Sequence, residues 1–169
     1  QCVAENIPTT SDIACQWKNL EASGILNPEK NIHLVGPLVQ TKWDQGAPYN
    51  MYVPNGWPTG CVATAMAQLM KYWEWPVQGT GEHSYQWNGQ TLTANFGETT
   101  YDWANMLDVY TMGVVTPENK EAVAVLMSHC GISVDMMYAF DGSGAFSVDV
   151  PIAINNYFSY SDHATYIAK

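Results

Sequence analysis

The amino-acid sequence predicts an α+β fold, and three local patterns carry that prediction. A helix beginning at residue 61 is indicated by apolar residues at three- and four-residue spacings. These residues are Ala65, Met66, Leu69, Met70 and Trp73. The pair Asn88-Gly89 lies between two alternating segments, which is typical of a β-hairpin. The pair Thr116-Pro117 predicts the start of a longer helix, because threonine is a good N-cap and proline fits the first helical position.

The first part of the chain, residues 1–36, is predicted to be an N-terminal extension. Apolar residues at helical spacing within 13–20 predict an amphipathic helix, and residues 31–40 are expected to be extended. Cys2 and Cys15 are the natural disulfide pair if the protein is exported, and the bridge would tether the terminus. Two unrelated thiols are the alternative.

The helix predicted from residue 61 has clear stop signals on both sides. Pro58 and Gly60 prevent an earlier start, and Pro76 ends the helix. Cys61 is therefore expected in the first helical turn, where unpaired N–H groups and the positive end of the helix dipole favour a thiolate. The alternative is a buried free cysteine that fills space.

The remaining elements follow from periodicity and punctuation. A short helix is predicted over 103–110, and the helix that starts at Thr116 is closed by Gly131. Alternating apolar residues predict a strand over 132–138. A final helix is expected over 150–158, before another extended segment at 165–167.

Composition bounds the class of protein. The 169 residues suffice for one core, and the net charge is −10, with only six Lys and Arg. Without a basic patch, nucleic acid is excluded as a serious partner. No run of about eighteen apolar residues predicts a membrane span. Because the sequence begins at Gln1, we expect a mature form from which the leader and prosegment have been removed, with residues 1–36 either a remnant of the prosegment or part of the mature enzyme.

The other cysteines and the histidines point to no metal site. Cys130 shares an apolar helix face and is predicted to pack in the core. Neither a Cys-x-x-Cys motif nor a His pair at helical spacing is present, so no zinc site is expected. The four histidines are His33, His83, His129 and His163. Each is more typical of a surface or capping residue, and none is assigned a role.

A glutamine upstream of Cys61 suggests how the site works. The Gly/Pro-rich segment 43–50, WDQGAPYN, contains Gln45. Its side-chain N–H and the backbone N–H of Cys61 are a possible pair of donors to a tetrahedral oxyanion. Here the sequence resembles the streptopain-like cysteine peptidases, which share the papain-type fold. The resemblance is carried by 43–50, by TGCVATAMAQLMKYW at 59–73, and by GISVDM at 131–136 with the Gly/Ser loop after it.

The resemblance implies a secreted, bacterial, zymogen-derived thiol protease of the virulence-factor type, acting on protein or peptide substrates without a cofactor. Cys61 would be the nucleophile and Gln45 the oxyanion donor. Gly142, Ser143 and Gly144 would form a cleft wall whose main-chain groups bind the substrate. From the residues alone, that loop is also consistent with a flexible strand-to-helix connection, and Asp141-Gly142 lacks the later carboxylates of a calcium loop.

The family's partner histidine, in a Gly-His-Ala strand, has no counterpart among the 169 residues. Residues 37–169 are therefore expected to be the N-terminal, mainly helix-rich half of a papain-like catalytic domain. The histidine is expected on a second chain, or on a part of the enzyme outside this sequence. Two alternatives remain open: a different thiol acyltransferase or amidase on a similar scaffold, and a non-enzymatic binding module. Secretion, or a periplasmic or cell-surface location, is expected.

Overall fold

A computed structural model describes residues 37–111 and 114–168. Most of them belong to a compact unit, Leu38–Lys169. The helix predicted within 13–20 and the Cys2–Cys15 disulfide lie outside the described residues, and both stay predictions.

Three α-helices and a two-stranded antiparallel sheet form the described part of the chain, so the predicted α+β class is confirmed. They are α1 (Cys61–Trp73), β1 (Glu82–Trp87), β2 (Gln90–Asn95), α2 (Pro117–Ile132) and α3 (Val150–Phe158). Short 3₁₀ turns connect them at Pro54–Gly56, Phe96–Glu98, Trp103–Asn105 and Ser147–Asp149. Within these residues, no helix is long and apolar enough to cross a membrane.

Helix α1 begins at Cys61, as predicted, because Gly60 adopts φ +89° and ψ 142°, which is not helical. Its last turn closes at Glu74, in the left-handed conformation. The predicted buried face is only half right. Met66 and Met70 are buried, but Leu69 is 47% exposed and Trp73 is 62% exposed.

The buried face of α1 is turned toward α2, and it includes small residues that the apolar count passed over. Ala63 and Ala67 are fully buried beside Met66 and Met70. The contact between the two helices includes the Cys130 thiol, which lies 3.7 Å from the Met70 sulfur. Cys130 is completely buried, which confirms its predicted place in the core. The alanines allow α1 and α2 to approach closely, and the two methionines fill the space between them.

The hairpin is confirmed. Asn88 (φ 47°) and Gly89 (φ 76°) form the two-residue turn, and Trp87 pairs with Gln90 across it. Positive φ at both central positions is the type I′ geometry, whose twist matches that of the strands.

Helix α2 starts as predicted, with a reciprocal capping box between Thr116 and Asn119 and Pro117 in the first turn. It does not stop at Gly131 but continues to Ile132. Gly131 serves packing instead, since a Cβ there would overlap the Tyr138 hydroxyl.

The predicted strand over 132–138 is wrong. Residues 133–135 form a turn with Asp135 at φ 50°, and within this stretch only Met137 makes a β-bridge, with Gly144. The alternating burial is real for Val134, Met136 and Tyr138. Burial alone does not make a strand, because a ladder also needs a neighbouring chain to accept its hydrogen bonds.

The predicted helix over 103–110 is also wrong, since only a 3₁₀ turn, Trp103–Asn105, forms there. The Trp103 indole N–H donates to the Pro76 carbonyl at 2.8 Å, and this side-chain hydrogen bond holds the 3₁₀ turn in place. The final helix is confirmed as α3, with Ala153 and Phe158 buried. Residues 165–167 form neither a helix nor a paired strand.

Candidate active site

Cys61 is a free, exposed thiol in the first turn of α1. No side chain caps this helix end, because Gly60 occupies the N-cap. Among the described residues, no acceptor bonds the Cys61 backbone N–H. An uncapped N-terminus favours negative charge nearby and leaves N–H donors for a ligand. The sulfur is therefore placed where a nucleophile would be accessible, and not sealed in the core.

Gln45 reaches the same helix end from the preceding loop. Its side-chain oxygen accepts a hydrogen bond from the Gly60 N–H at 3.1 Å, and its backbone carbonyl accepts one from the Thr59 N–H at 3.0 Å. Because a backbone N–H needs an acceptor, the carboxamide oxygen is fixed toward Gly60. The NH₂ group has no hydrogen-bond partner among the described residues.

The segment around Gln45 is held by aromatic side chains. The Trp43 indole donates to the Leu107 carbonyl at 2.8 Å, and the Tyr49 ring lies edge-on to Tyr110, with centroids 5.2 Å apart. Burial raises the pKa of Tyr110 to about 12, so its hydroxyl stays protonated and donates to the Asn119 carbonyl. These contacts hold the segment on both sides of Gln45 against the rest of the fold.

The two residues before Cys61, Thr59 and Gly60, complete the support; the sequence interpretation used Gly60 only as a helix stop and gave Thr59 no role. Thr59 is fully buried, and its hydroxyl lies 3.0 Å from that of Thr64. Gly60 adopts φ +89°, where a side chain would be strained, and a Cβ there would also lie 2.6 Å from the Met136 sulfur, so this position favours glycine. Its position two residues before the cysteine was the one hint in the sequence that Thr59 supports the site. Nothing in the neighbouring residues distinguishes it from an ordinary threonine.

The glycine-rich loop also lies against this segment. The Ser143 hydroxyl donates to the Pro58 carbonyl at 2.6 Å, and Gly144 exchanges both backbone hydrogen bonds with Met137, at 2.9 and 3.1 Å. The Gly142 N–H donates to the Ala139 carbonyl. Gly142 is exposed, whereas Ser143 is buried. Thus Gly142, Ser143 and Gly144 lie in the loop that contacts the Cys61 segment, and the Ser143 side chain is turned inward.

The described histidines are engaged elsewhere. His83 bonds to Asp135 at 2.6 Å and to Tyr157 at 3.1 Å, and exposed His163 bonds to Ser161. His129 was expected at the surface or as a helix cap, but it is largely buried and bonds to the Tyr101 hydroxyl at 2.9 Å. Burial lowers the pKa of His129 to about 4, so the ring is neutral and does not act as a cationic cap.

Comparison with known proteins decides the family. The family model described as the Peptidase C10 family matches residues 43–169. The chain belongs to the Peptidase C10 family. This confirms the resemblance to streptopain-like cysteine peptidases, which the segments around Gln45 and Cys61 carried.

Relatives with curated names are cysteine proteases. The chain is 37% identical over 151 residues to the thiol protease/hemagglutinin PrtT of Porphyromonas gingivalis, covering 83% of this chain and 17% of that protein. It is 33% identical over 141 residues to streptopain of Streptococcus pyogenes, covering 70% of this chain and 35% of the relative. The chain therefore spans about a third or less of these relatives.

Solved structures of C10 peptidases share the fold. Active wild-type interpain A cysteine protease of Prevotella intermedia matches with a TM-score of 0.69 and 42% identity, over 72% of this chain and 54% of that one. A prointerpain A fragment from the same organism matches with a TM-score of 0.66 and 33% identity, over 89% of this chain and 56% of that one. The predicted papain-like α+β fold is thereby confirmed.

Proposed function

We propose that this chain forms part of a cysteine endopeptidase in which the Cys61 thiolate attacks the peptide bond. One observation carries the proposal: an exposed thiol lies at an uncapped helix N-terminus, beside a glutamine whose oxygen is already fixed by Gly60. Membership of the Peptidase C10 family agrees with that chemistry.

The reaction follows from these groups. The Cys61 sulfur bonds to the carbonyl carbon, and the C=O electron pair moves to oxygen, where the Cys61 N–H and the Gln45 NH₂ stabilise the negative charge. An imidazolium then protonates the leaving amine as the C–N bond breaks. Water, deprotonated by the resulting imidazole, attacks the thioester and releases the acid and the thiolate. No cofactor is needed.

The imidazole is proposed to come from outside the 169 residues, on a second chain or another part of the enzyme. Two findings support this. The described histidines His83, His129 and His163 bond to groups other than Cys61. The chain also covers only 54% of active interpain A.

The part of the enzyme that supplies the histidine is proposed to bind an exposed apolar stripe on α1. The stripe begins at Cys61 and continues through Ala65, Leu69 and Trp73, all exposed and spaced four residues apart. This spacing places them on one face of the helix, opposite the face that packs on α2. A segment covering this stripe would reach the cysteine, and burying Leu69 and Trp73 would stabilise the contact.

Peptide substrates are proposed to bind along the loop that contains Gly142, Ser143 and Gly144. In the described part of the chain, neither the Gly142 carbonyl nor the Ser143 N–H has a hydrogen-bond partner, so neither group is committed within the fold. Both backbone groups of Gly144 are engaged by Met137, which leaves it the role of shaping the loop.

Residues 1–36 are proposed to derive from a prosegment. The match to prointerpain A covers 89% of this chain, against 72% for the active enzyme, and the family model begins at residue 43. Secretion, or a periplasmic or cell-surface location, and a role in virulence stay predictions from the family resemblance. Detection of the enzyme in the culture medium, the periplasm or the outer surface tests the location.

The proposal is tested with Cys61→Ala in the complete enzyme, including the part that supplies the histidine. Turnover of a peptide substrate should be abolished while the unfolding temperature stays near that of the parent, since a small exposed group is changed. Cys130→Ala is the matched control, and it should lower stability through a core cavity but leave kcat within about twofold. Peptide hydrolysis by Cys61→Ala at the parent rate would refute the proposal.

Substrate profiling separates the alternatives on the same enzyme. An acyltransferase or amidase would transfer the acyl group to an added amine or cleave only side-chain amides. A binding module would show no turnover, and iodoacetamide would not alkylate Cys61 selectively at mildly acidic pH.

A further inference from the structure

Ser143 has an unusual place for a residue of a substrate-facing loop. It is only 9% exposed, and both functions of its hydroxyl are used. The oxygen accepts a hydrogen bond from the Ala139 N–H at 3.2 Å, and the O–H donates to the Pro58 carbonyl at 2.6 Å. The first bond closes the loop on itself, and the second joins it to the segment three residues before Cys61.

The segment 58–60 is thus held from two sides. Gln45 bonds the Thr59 and Gly60 N–H groups at 3.0 and 3.1 Å, while Ser143 bonds the Pro58 carbonyl at 2.6 Å. The backbones also approach closely, since a Cβ on Gly60 would lie 3.2 Å from the Ser143 carbonyl oxygen. Gln45 thus bonds the N–H groups of residues 59 and 60, whereas the Ser143 hydroxyl links the glycine loop to the residue before them.

We propose that the Ser143 side chain is a positioning residue, which fixes the glycine loop at the correct distance from Cys61 without touching the substrate. The inference rests on the proposed peptidase function and refines the role of this loop. A peptide bound along a displaced loop presents its carbonyl to the sulfur in the wrong place, and small misplacements of a reacting group reduce rates strongly. A reagent too small to reach the loop would not sense the displacement.

The test compares Ser143→Ala with Ser133→Ala in the complete enzyme. Ser133 is a matched control, because it is also buried, at 7% exposure, and its hydroxyl donates to the Cys130 carbonyl at 2.8 Å. Two rates are measured for each variant: hydrolysis of an extended peptide, and alkylation of Cys61 by iodoacetamide.

Ser143→Ala should hydrolyse the extended peptide about 10- to 100-fold more slowly, while iodoacetamide alkylates Cys61 within about twofold of the parent rate. Ser133→Ala should keep both rates within twofold. Ser143→Thr retains the hydroxyl and should restore most of the peptide hydrolysis. If Ser143→Ala does not fold, Ser143→Cys gives the comparison by peptide hydrolysis alone, with a smaller loss, because a thiol is a weaker hydrogen-bonding group.

Peptide hydrolysis within twofold of the parent in Ser143→Ala would overturn the inference. Equal losses in peptide hydrolysis and alkylation would also overturn it, since they indicate general damage to the site. Amide hydrogen exchange provides a readout independent of catalysis: the Ala139 N–H should exchange at least about tenfold faster in Ser143→Ala, as it loses its acceptor. If Cys61→Ala retains full turnover while this exchange behaves as expected, the peptidase proposal fails and the structural tie stands.

Discussion

Replacing Gln45 with alanine is expected to remove two interactions that act on different properties. Loss of the NH₂ donor should lower kcat on the order of 10² to 10³, or about 2.7–4 kcal/mol of transition-state stabilisation. In the parent, the buried Gly60 N–H donates to the Gln45 side-chain oxygen at 3.1 Å. Loss of that acceptor should cost about 1–3 kcal/mol of folding stability. Both quantities are measurable in the complete enzyme, by steady-state peptide hydrolysis and by urea unfolding.

Gln45→Glu separates the two effects. A carboxylate still accepts from the Gly60 N–H, so stability should stay closer to that of the parent. It offers no N–H and places negative charge beside the developing oxyanion, so kcat should fall at least as far as in Gln45→Ala. Asn155→Ala is the control, since it removes an amide that donates to the Tyr160 carbonyl at 3.0 Å and should leave kcat within twofold. Parent-like hydrolysis by either Gln45 variant would refute the oxyanion assignment.

Two further predictions concern stability. Gly60→Ala should destabilise the fold by at least about 2 kcal/mol and abolish activity, because φ is +89° and the new Cβ would lie 2.6 Å from the Met136 sulfur. Gly46→Ala is the control: a Cβ at Gly46 would have no atom within 4 Å, so this variant should be nearly neutral in the same urea titration. His129 has a folded pKa of about 4, below its ordinary 6.5, so the unfolded state binds more protons between these values. Its contribution to stability should therefore be complete above pH 6.5 and fall by up to about 3 kcal/mol as the pH drops to 4. His129→Gln, which keeps an acceptor for Tyr101, should show a shallower loss over that range, and parallel curves would contradict the assignment.

The elements that the sequence predicted correctly are those with strong local signals. The start of α1 at Cys61, the turn at Asn88-Gly89 and the cap at Thr116 each depend on a few adjacent residues. Gly, Pro, Asn and Thr restrict or bond the backbone directly, so neighbouring residues decide these features almost alone. The strand predicted over 132–138 failed because a strand needs a partner, which no local pattern provides.

In the candidate site, too, some features could be predicted from the sequence and others could not. The sequence by itself determined that Cys61 begins a helix, and it made the upstream Gln45 a candidate oxyanion donor. Only the tertiary structure decided which face of α1 is buried, that the Gln45 oxygen bonds the Gly60 N–H, and that the Ser143 hydroxyl bonds Pro58, 85 residues away in sequence. The physical reason is that local backbone preferences act over a few residues. Hydrogen bonds between distant segments depend instead on how the whole core packs.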